Sequence, residues 1–209
     1  MPDWDEDSER LRENLLGAYR LSRDSARKRA VPGVAQAREW HKVIMQDLSV
    51  PDEAVVGRFR GEAGLHGFKV RVGLHDGVLS GDVTAELAGF ERKLRSAVNA
   101  LDKLIAKGKP PQTADAINAV IELCAWAHAE WVRIHPFANG NGRTARTWVG
   151  FVAMRYGVPP FVRLRPRPDG GYGAACGKAM EGDWKPMVTV FRQMYLETLR
   201  DLSSGTPER

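Results

Sequence analysis

The chain has 209 residues, 43% of them hydrophobic, and a formal net charge of +5 at pH 7. This size predicts one domain, residues 1–209, with enough apolar content for a sizeable core. The sequence has no run of about 18 apolar residues, which excludes a membrane-spanning helix, and its acidic start has no signal-peptide pattern. We therefore expect a protein of the cytoplasm, or one delivered from there to another cell.

The charge is distributed unevenly along the chain. The first fifteen residues hold six acids and two arginines, whereas residues 143–178 hold seven basic residues and one acid. A basic chain admits nucleic acid as a partner, but no nucleic-acid-binding motif is present, and basic charge serves a nucleoside triphosphate equally well. Cys124 and Cys176 lack metal-ligand spacing and fall within helical patterns, so we expect reduced thiols in the core.

Apolar residues at helical spacing predict two helices near the start of the chain, over residues 5–24 and from Val34 to Leu48. Pro32 and Gly33 separate the two helices. Residues 1–31 are therefore interpreted as a helical extension in front of the main bundle.

Residues 66–80 change from a helical period to a strand period. Phe68, Val70 and Val72 alternate with basic residues, which predicts a strand. The pair Asp76-Gly77 is a tight-turn signal, so we predict a β-hairpin that turns there. An isolated hairpin is only marginally stable, so it must lean on helices and can keep an open edge.

Five more helices are predicted after the hairpin. They cover about 83–107, the stretch to Arg133 that Thr113 caps, Gly142 to Tyr156, Tyr172 to Gly182, and Trp184 to Leu202. The second of them is apolar around most of its circumference, so we expect it at the centre of the bundle, with His128 as a hydrogen-bonded core histidine. With a frayed tail at 203–209, the fold is predicted to be all-α, with seven or eight helices and one hairpin.

The stretch His135–Arg146, which reads HPFANGNGRTAR, carries the most informative chemistry in the chain. Pro136 disfavours helical dihedrals in the residue before it, so a helix should end near His135. Gly140 and Gly142 let the backbone turn tightly and let a ligand approach it closely.

A helical pattern resumes at about Gly142, so the glycine turn lies at a helix N-terminus. Unpaired N–H groups and the helix dipole favour an anion there. Arg143 and Arg146 are three residues apart, so they share one face of the first turn, and arginine suits phosphate. The stretch therefore predicts a polyphosphate site with His135 as a candidate base at its entrance.

The same twelve residues resemble the signature of the Fic family (filamentation induced by cAMP), H-P-F-x-[D/E/N]-G-N-G-R-x-x-R, and fill every fixed position. The resemblance implies a Fic domain that moves AMP from ATP to a Ser, Thr or Tyr hydroxyl of a target protein, with Mg²⁺ as cofactor. It implies that His135 is the general base. The residues that it assigns to the nucleotide phosphates follow one another closely: Gly140, Asn141, Gly142, Arg143 and Arg146.

Two further positions follow from the resemblance. Asn139 stands where most well-studied members carry Asp or Glu, which helps to hold Mg²⁺. An amide oxygen is neutral, so we expect Asn139 to be a weaker metal ligand. The segment that begins at Tyr172 resembles the family's nucleotide-base segment, but Met180 stands where some relatives carry a polar residue, which leaves the identity of the base open.

The predicted hairpin corresponds to the family's flap, which is thought to register a target segment by strand pairing. The docking strand would then contain Lys69, Val70, Arg71 and Val72. Many Fic proteins are silenced by a helix with the motif [S/T]-x-x-x-E-[G/N]. The nearest match begins at Ser8 and has one residue too many before Glu13. Three alternatives therefore stay open: inhibition by Glu13, inhibition by a small antitoxin partner, and no inhibition.

Three other functions remain as alternatives. A Fic-like protein kinase, or a transferase of another phosphate-containing group, would use the same site, although the kinase branch carries Lys where this chain has Gly142. A binding module without turnover is favoured by Asn139 and disfavoured by the intact His135. DNA binding would rest on basic charge alone, so we expect a nucleoside triphosphate and a target protein as partners, with neither nucleic acid nor a membrane.

Overall fold

The structure of the protein is a computed structural model that describes residues 8–204. The helices of this part of the chain are α1 (Glu9–Arg27), α2 (Val34–Met45), α3 (Val83–Leu104), α4 (Ala114–Ile134), α5 (Asn141–Arg155), α6 (Tyr172–Met180) and α7 (Lys185–Ser204). Two short strands, β1 (Arg71–Val72) and β2 (His75–Asp76), lie between α2 and α3. The predicted all-α fold with one small hairpin is confirmed. Of the predicted extension and tail, residues 1–7 and 205–209 lie outside the described residues, and Ser203 and Ser204 are helical.

Side-chain caps explain where two of the helices begin. The hydroxyl oxygen of Ser8 accepts a hydrogen bond from the Leu11 N–H at 3.1 Å, at the start of α1. The hydroxyl oxygen of Thr113 accepts one from the Ala116 N–H at 3.2 Å, at the start of α4. Each cap satisfies an N–H group that has no partner within the helix, which typically stabilises a helix by about 1 kcal/mol.

Helix α4 lies at the centre of the bundle, as predicted, and packs against α3, α5, α6 and α7. Around it, Trp131 contacts Trp148, Phe90 and Phe137 with ring centroids 5.4–5.9 Å apart. A second apolar cluster, between α1 and α2, includes Ala138 of the predicted signature stretch. The stretch His135–Arg146 therefore contributes side chains to both apolar clusters. Within residues 8–204, no helix combines the length and the apolar character needed to cross a membrane.

The hairpin exists, but the predicted extent and turn were wrong. Its strands pair Arg71 with Asp76 and Val72 with His75, so Gly73 and Leu74 form the turn. Gly73 adopts φ 60°, which suits a tight hairpin connection.

Asp76 does not turn the chain because it belongs to the second strand, where its carboxylate lies 3.2 Å from the Arg71 guanidinium. Gly77 also continues the pairing, since its N–H donates to the Val70 carbonyl at 3.0 Å. The Asp-Gly signal is local, but the strands pair about Gly73 and Leu74 instead, with Val70 buried.

Candidate active site

The loop between α4 and α5 is closed by the side chain of Asn141. Its amide oxygen accepts from the Phe137 N–H, and its amide NH₂ donates to the Phe137 carbonyl, both at 2.8 Å. Asn141 is 2% exposed. The side chain thus braces the loop from inside, and it is the backbone of Asn141 that borders the space in front of α5.

A histidine outside the stretch supports the same loop. The Nδ1 atom of His41 accepts from the Gly57 N–H at 2.9 Å, so Nε2 carries the proton and donates to the Asn139 carbonyl at 3.1 Å. The imidazole also stacks on Phe137, with ring centroids 3.8 Å apart. Burial, with repulsion from Arg143, lowers the pKa of His41 to about 3. Sequence reasoning assigned His41 no part in the site, and its place on the buried face of α2 was the only available signal.

Helix α5 begins in the glycine turn of the loop. Gly140 adopts φ 72°, and the first intrahelical bond runs from the Thr144 N–H to the Gly140 carbonyl at 3.0 Å. The amide N–H groups that precede Thr144 in this turn therefore point out of the helix end. A side chain at Gly142 would place its Cβ 3.2 Å from Nη1 of Arg146. The glycine thus leaves that guanidinium reachable from the helix end.

Both arginines of the stretch are buried beside this helix end, Arg143 at 2% and Arg146 at 5% exposure. Arg143 donates to the side-chain oxygen of Asn139 at 3.3 Å. Arg146 donates to the Leu164 carbonyl at 2.9 Å and to the Tyr172 hydroxyl oxygen at 3.4 Å. Burying the guanidinium charge of Arg146 is costly, and an anion at the helix end would offset that cost.

Tyr172 lies behind Arg146, and its side chain is 1% exposed. Its hydroxyl oxygen accepts from Arg146 and is hydrogen-bonded to Nε2 of His128, 2.6 Å away. Burial raises the pKa of Tyr172 to about 12 and lowers that of His128 to about 3, so both are neutral at pH 7. His128 is the hydrogen-bonded core histidine that the sequence predicts. Tyr172, expected in the nucleotide-base segment, contacts the site through Arg146.

His135 ends α4 in the left-handed conformation, with φ 52°. Its Nδ1 lies 3.1 Å from the Val132 carbonyl, so Nδ1 carries the proton and Nε2 keeps its lone pair. Burial and the positive charge of Arg60 lower the pKa of His135 to about 4. The imidazole is therefore neutral at pH 7 and has one nitrogen able to accept a proton.

Asn139 offers one neutral oxygen as a metal ligand. That oxygen already accepts from the Gly140 N–H and from Arg143. No cluster of three or more His, Cys, Asp or Glu side chains suited to a metal occurs between residues 8 and 204. A magnesium ion held here would therefore take most of its ligands from phosphate oxygens and water.

The four residues expected to form the docking strand differ in exposure. Lys69 and Arg71 are exposed, Val72 is half-buried and Val70 is buried. Lys69 and Val70 precede β1, although the Val70 carbonyl still pairs with Gly77. Since hydrogen-bonded and non-hydrogen-bonded pairs alternate in an antiparallel ladder, the N–H and C=O of Arg71 point toward the open edge.

Glu13 lies on the exposed face of α1, with its carboxylate 3.2 Å from Arg10 and a side-chain exposure of 60%. The neighbouring Asn14 is buried and donates to the carbonyls of Ile44 and Gln46 at 3.2 and 2.6 Å. Helix α1 does pack along α5. The structure therefore brings the helix, but not the Glu13 side chain, to the segment that contains Arg146.

Comparison with protein families gives a match that covers more than half of the chain. The model of the Fic/DOC family matches residues 33–153, which include α2, the hairpin and the whole signature. The chain belongs to the Fic/DOC family. The resemblance inferred from twelve residues is thereby confirmed.

Curated relatives share the region around the signature. "Protein adenylyltransferase Fic" of Nematostella vectensis is 42% identical over 69 residues, which are 32% of this chain and 16% of that protein. "Protein adenylyltransferase fic-1" of Caenorhabditis elegans is 43% identical over 68 residues, or 32% and 13%. The protein of the same type from Drosophila persimilis is 30% identical over 131 residues, or 63% and 22%. The chain thus spans about a fifth or less of the length of these Fic proteins.

Solved structures share the fold of almost the whole chain. A Fic-domain signalling protein of Bacteroides thetaiotaomicron superposes with a TM-score of 0.67 at 17% identity, covering 96% of this chain and 74% of that one. The BepC effector of Bartonella tribocorum, solved with bound AMPPNP, gives 0.59 at 19% identity, covering 90% and 87%. These likenesses establish a Fic-like fold from α1 to α7.

Proposed function

We propose that this Fic-family chain transfers AMP from ATP to a Ser, Thr or Tyr hydroxyl of a target protein, with His135 as the general base. One observation carries the proposal. A neutral imidazole with its Nδ1 proton committed to Val132 begins the loop that leads to a helix N-terminus with two buried arginines in its first turns. The relatives named protein adenylyltransferases support the same reaction class.

The nucleotide would bind with its phosphates at the N-terminus of α5. The backbone of Gly140, Asn141 and Gly142 and the helix dipole would stabilise phosphate charge. Arg143 and Arg146 would hold the outer phosphates, to which the planar guanidinium is well suited. The bound AMPPNP in the BepC structure supports a nucleoside triphosphate as the ligand of this fold.

The transfer itself needs one proton acceptor and one leaving group. Nε2 of His135 takes the proton of the target hydroxyl, and the oxygen then attacks the α-phosphorus. The bond from that phosphorus to the bridging oxygen breaks, and pyrophosphate leaves. ATP and the protein hydroxyl are thus converted into AMP-protein and pyrophosphate.

Magnesium would enter with the triphosphate and neutralise part of its charge. Asn139 is the side chain that would contact it, through an oxygen that now accepts from Gly140 and Arg143. Phosphate oxygens and water would supply the remaining ligands, as is usual for Mg²⁺.

The target would dock by adding a strand to the flap. The outward N–H and C=O of Arg71 form the open edge, and strand addition recognises backbone more than side chains. Of the four residues expected to dock, Arg71 would contribute most, because Val70 is buried and committed to Gly77. A small inhibitory antitoxin remains part of the proposal as a partner that could control this site.

The deciding experiment incubates wild type and His135→Ala with magnesium and ATP labelled at the α- or the γ-phosphate. Label from the α-phosphate on protein supports AMP transfer, and label from the γ-phosphate supports a kinase instead. We expect His135→Ala to lose about 10³-fold or more in rate while ATP affinity, measured by calorimetry, changes little. Residual activity within tenfold of wild type would remove His135 from its role. A pH series adds a second check, because kcat/KM should stay flat near neutrality and fall as the pH drops through about 4, where His135 becomes protonated.

A binding module without turnover is the second candidate. It is favoured by the side-chain oxygen of Asn139, which is neutral and already accepts two hydrogen bonds. Tight ATP binding by calorimetry with no protein label from either phosphate would support this alternative.

A further inference from the structure

Arg60 is a fully buried arginine outside the signature. It is 1% exposed, and within residues 8–204 it forms no ion pair. Instead, its guanidinium donates four hydrogen bonds to backbone carbonyls. The acceptors are His135 at 2.8 Å, Ile134 at 3.0 Å, Phe68 at 3.1 Å and Val78 at 2.7 Å.

These acceptors belong to two parts of the molecule that the proposed reaction must bring together. Ile134 and His135 are the end of α4, and His135 is the proposed base. Phe68 precedes β1 and Val78 follows β2, so they lie at the two ends of the flap. The backbone N–H of Arg60 adds a fifth bond, to the Pro136 carbonyl at 2.8 Å.

Gly77 shows how closely the flap lies on the base. A Cβ added at Gly77 would come within 3.1 Å of the His135 Cβ, 3.3 Å of Arg60 Nη2 and 2.8 Å of a Val70 methyl. The chain that follows β2 therefore passes directly over His135, and the residue at the point of contact is a glycine, which has no side chain.

A charged side chain is a costly way to join these segments. Burial alone lowers the pKa of Arg60 to about 10, and a buried cation without a carboxylate partner is rarely the most stabilising choice. The flat guanidinium nevertheless supplies donors in fixed directions, which no apolar side chain can do. Its geometry is thus suited to setting the relative positions of three backbone segments.

We propose that Arg60 is a positioning residue that fixes the backbone of His135 relative to the flap. It would hold His135 in its left-handed conformation, which residues other than glycine rarely adopt. A target strand paired on the flap would then present its hydroxyl at a constant distance from Nε2. This inference rests on the proposed function for its consequence, and on the hydrogen bonds alone for its geometry.

Arg60 also acts on His135 through charge. Burial is the main cause of the lowered pKa of His135, and of the described residues Arg60 provides the charge that lowers it further, while the bond to the Val132 carbonyl acts in the opposite direction. This gives the test a spectroscopic readout that a merely structural arginine would not move.

The experiment compares Arg60→Lys and Arg60→Met with wild type and with Arg155→Lys. Arg155 is the control, because it is also a buried arginine, 6% exposed, that donates to a backbone carbonyl, that of Ala30, but it lies at the far end of α5 and is paired with Asp102. Each protein is tested for thermal unfolding, ATP affinity by calorimetry, AMP transfer to itself from α-labelled ATP, and titration of His135 by ¹H–¹³C NMR. His135→Ala identifies the His135 signal.

We expect both Arg60 variants to lose about tenfold or more in transfer rate, with ATP affinity within about threefold of wild type. In Arg60→Met the His135 midpoint should rise by about half to one pH unit, since a nearby positive charge is removed. In Arg60→Lys the charge remains but the planar set of donors is lost. The transfer rate should therefore fall, while the midpoint of the His135 titration changes little. The Arg155→Lys control should leave both unchanged.

Folded Arg60 variants with a wild-type rate and a wild-type His135 midpoint would overturn the inference. If neither variant folds, Gly77→Ala decides, because it disturbs the same contact with Arg60 intact: a wild-type rate and midpoint would again overturn the inference. A wild-type protein that binds ATP but labels nothing would defeat the proposed function alone, since the NMR titration would still report the contact between Arg60 and His135.

Discussion

The signature loop and the flap differ in how completely their polar groups are hydrogen-bonded within the protein. In the loop, Asn141 and the supporting His41 are buried, and each spends both of its polar atoms on neighbouring backbone. In the flap, the paired strands are two residues long and the turn residue Leu74 is 91% exposed.

The contrast indicates two modes of recognition. A preorganised loop binds a ligand of constant shape with little loss of conformational freedom. An open strand edge is completed only when a partner strand arrives, and it accepts many sequences because backbone pairs with backbone. Changes to the backbone of the loop should therefore impair nucleotide binding, and changes in the flap should impair target transfer alone.

The largest effect on nucleotide binding is expected from Gly140→Ala. The position has φ 72°, and the added Cβ would collide with the Met45 methyl and approach His41 Nε2 to 3.3 Å. We expect ATP affinity to fall by about a hundredfold and the free energy of unfolding by about 2 kcal/mol or more. Calorimetry and thermal unfolding measure the two effects.

Gly64→Ala is the matched control for this change. Gly64 also has a positive φ, 80°, but an added Cβ would meet nothing within 4 Å. It should show the backbone cost alone, with ATP affinity unchanged. Equal losses of affinity in the two variants would mean that the packing around Gly140 is irrelevant to the nucleotide.

A smaller and more selective effect is expected from Arg71→Pro in the flap. Proline removes the outward N–H at the open edge, while the pairs on either side of Arg71 keep their bonds. We expect labelling of the proteins in a cell extract by α-labelled ATP to fall by about tenfold, with ATP affinity unaltered. Arg71→Ala keeps the N–H and should stay near wild type, so an equal loss in both variants would assign the role to the side chain instead.

The smallest effect is expected from Asn139→Asp, which sharpens the loop rather than breaking it. A charged oxygen replaces a neutral one beside Arg143, so the apparent affinity for Mg²⁺ should rise by a few fold. A titration of transfer rate against magnesium measures it. An unchanged or weaker apparent affinity would exclude position 139 from metal binding.

The sequence predicted what depends on nearby residues and missed what depends on distant ones. Thr113 as a cap and α4 as the central helix follow from local pattern, and the structure agrees. The hairpin turn was misplaced because Asp76-Gly77 is a strong local signal. Gly77 is instead required where the backbone crosses His135, a contact that no local pattern contains.

The supporting residues of the site were missed for the same reason. His41 reaches the loop from 98 positions upstream, and Arg60 reaches His135 from 75. A lone buried histidine or a lone arginine has no spacing that marks it. The role of Tyr172 likewise depends on Arg146 and His128, which lie on two other helices.

The closure of the loop by Asn141 has a consequence for protein engineering. Asn141 holds Phe137 within the same short segment, so residues 135–146 look like a portable unit. The segment nevertheless depends on His41 for the position of Asn139 and on Arg60 for the position of His135. A graft of these twelve residues onto another helical hairpin would carry the ligand-facing groups and lose their alignment, unless an equivalent imidazole and guanidinium were built into the recipient.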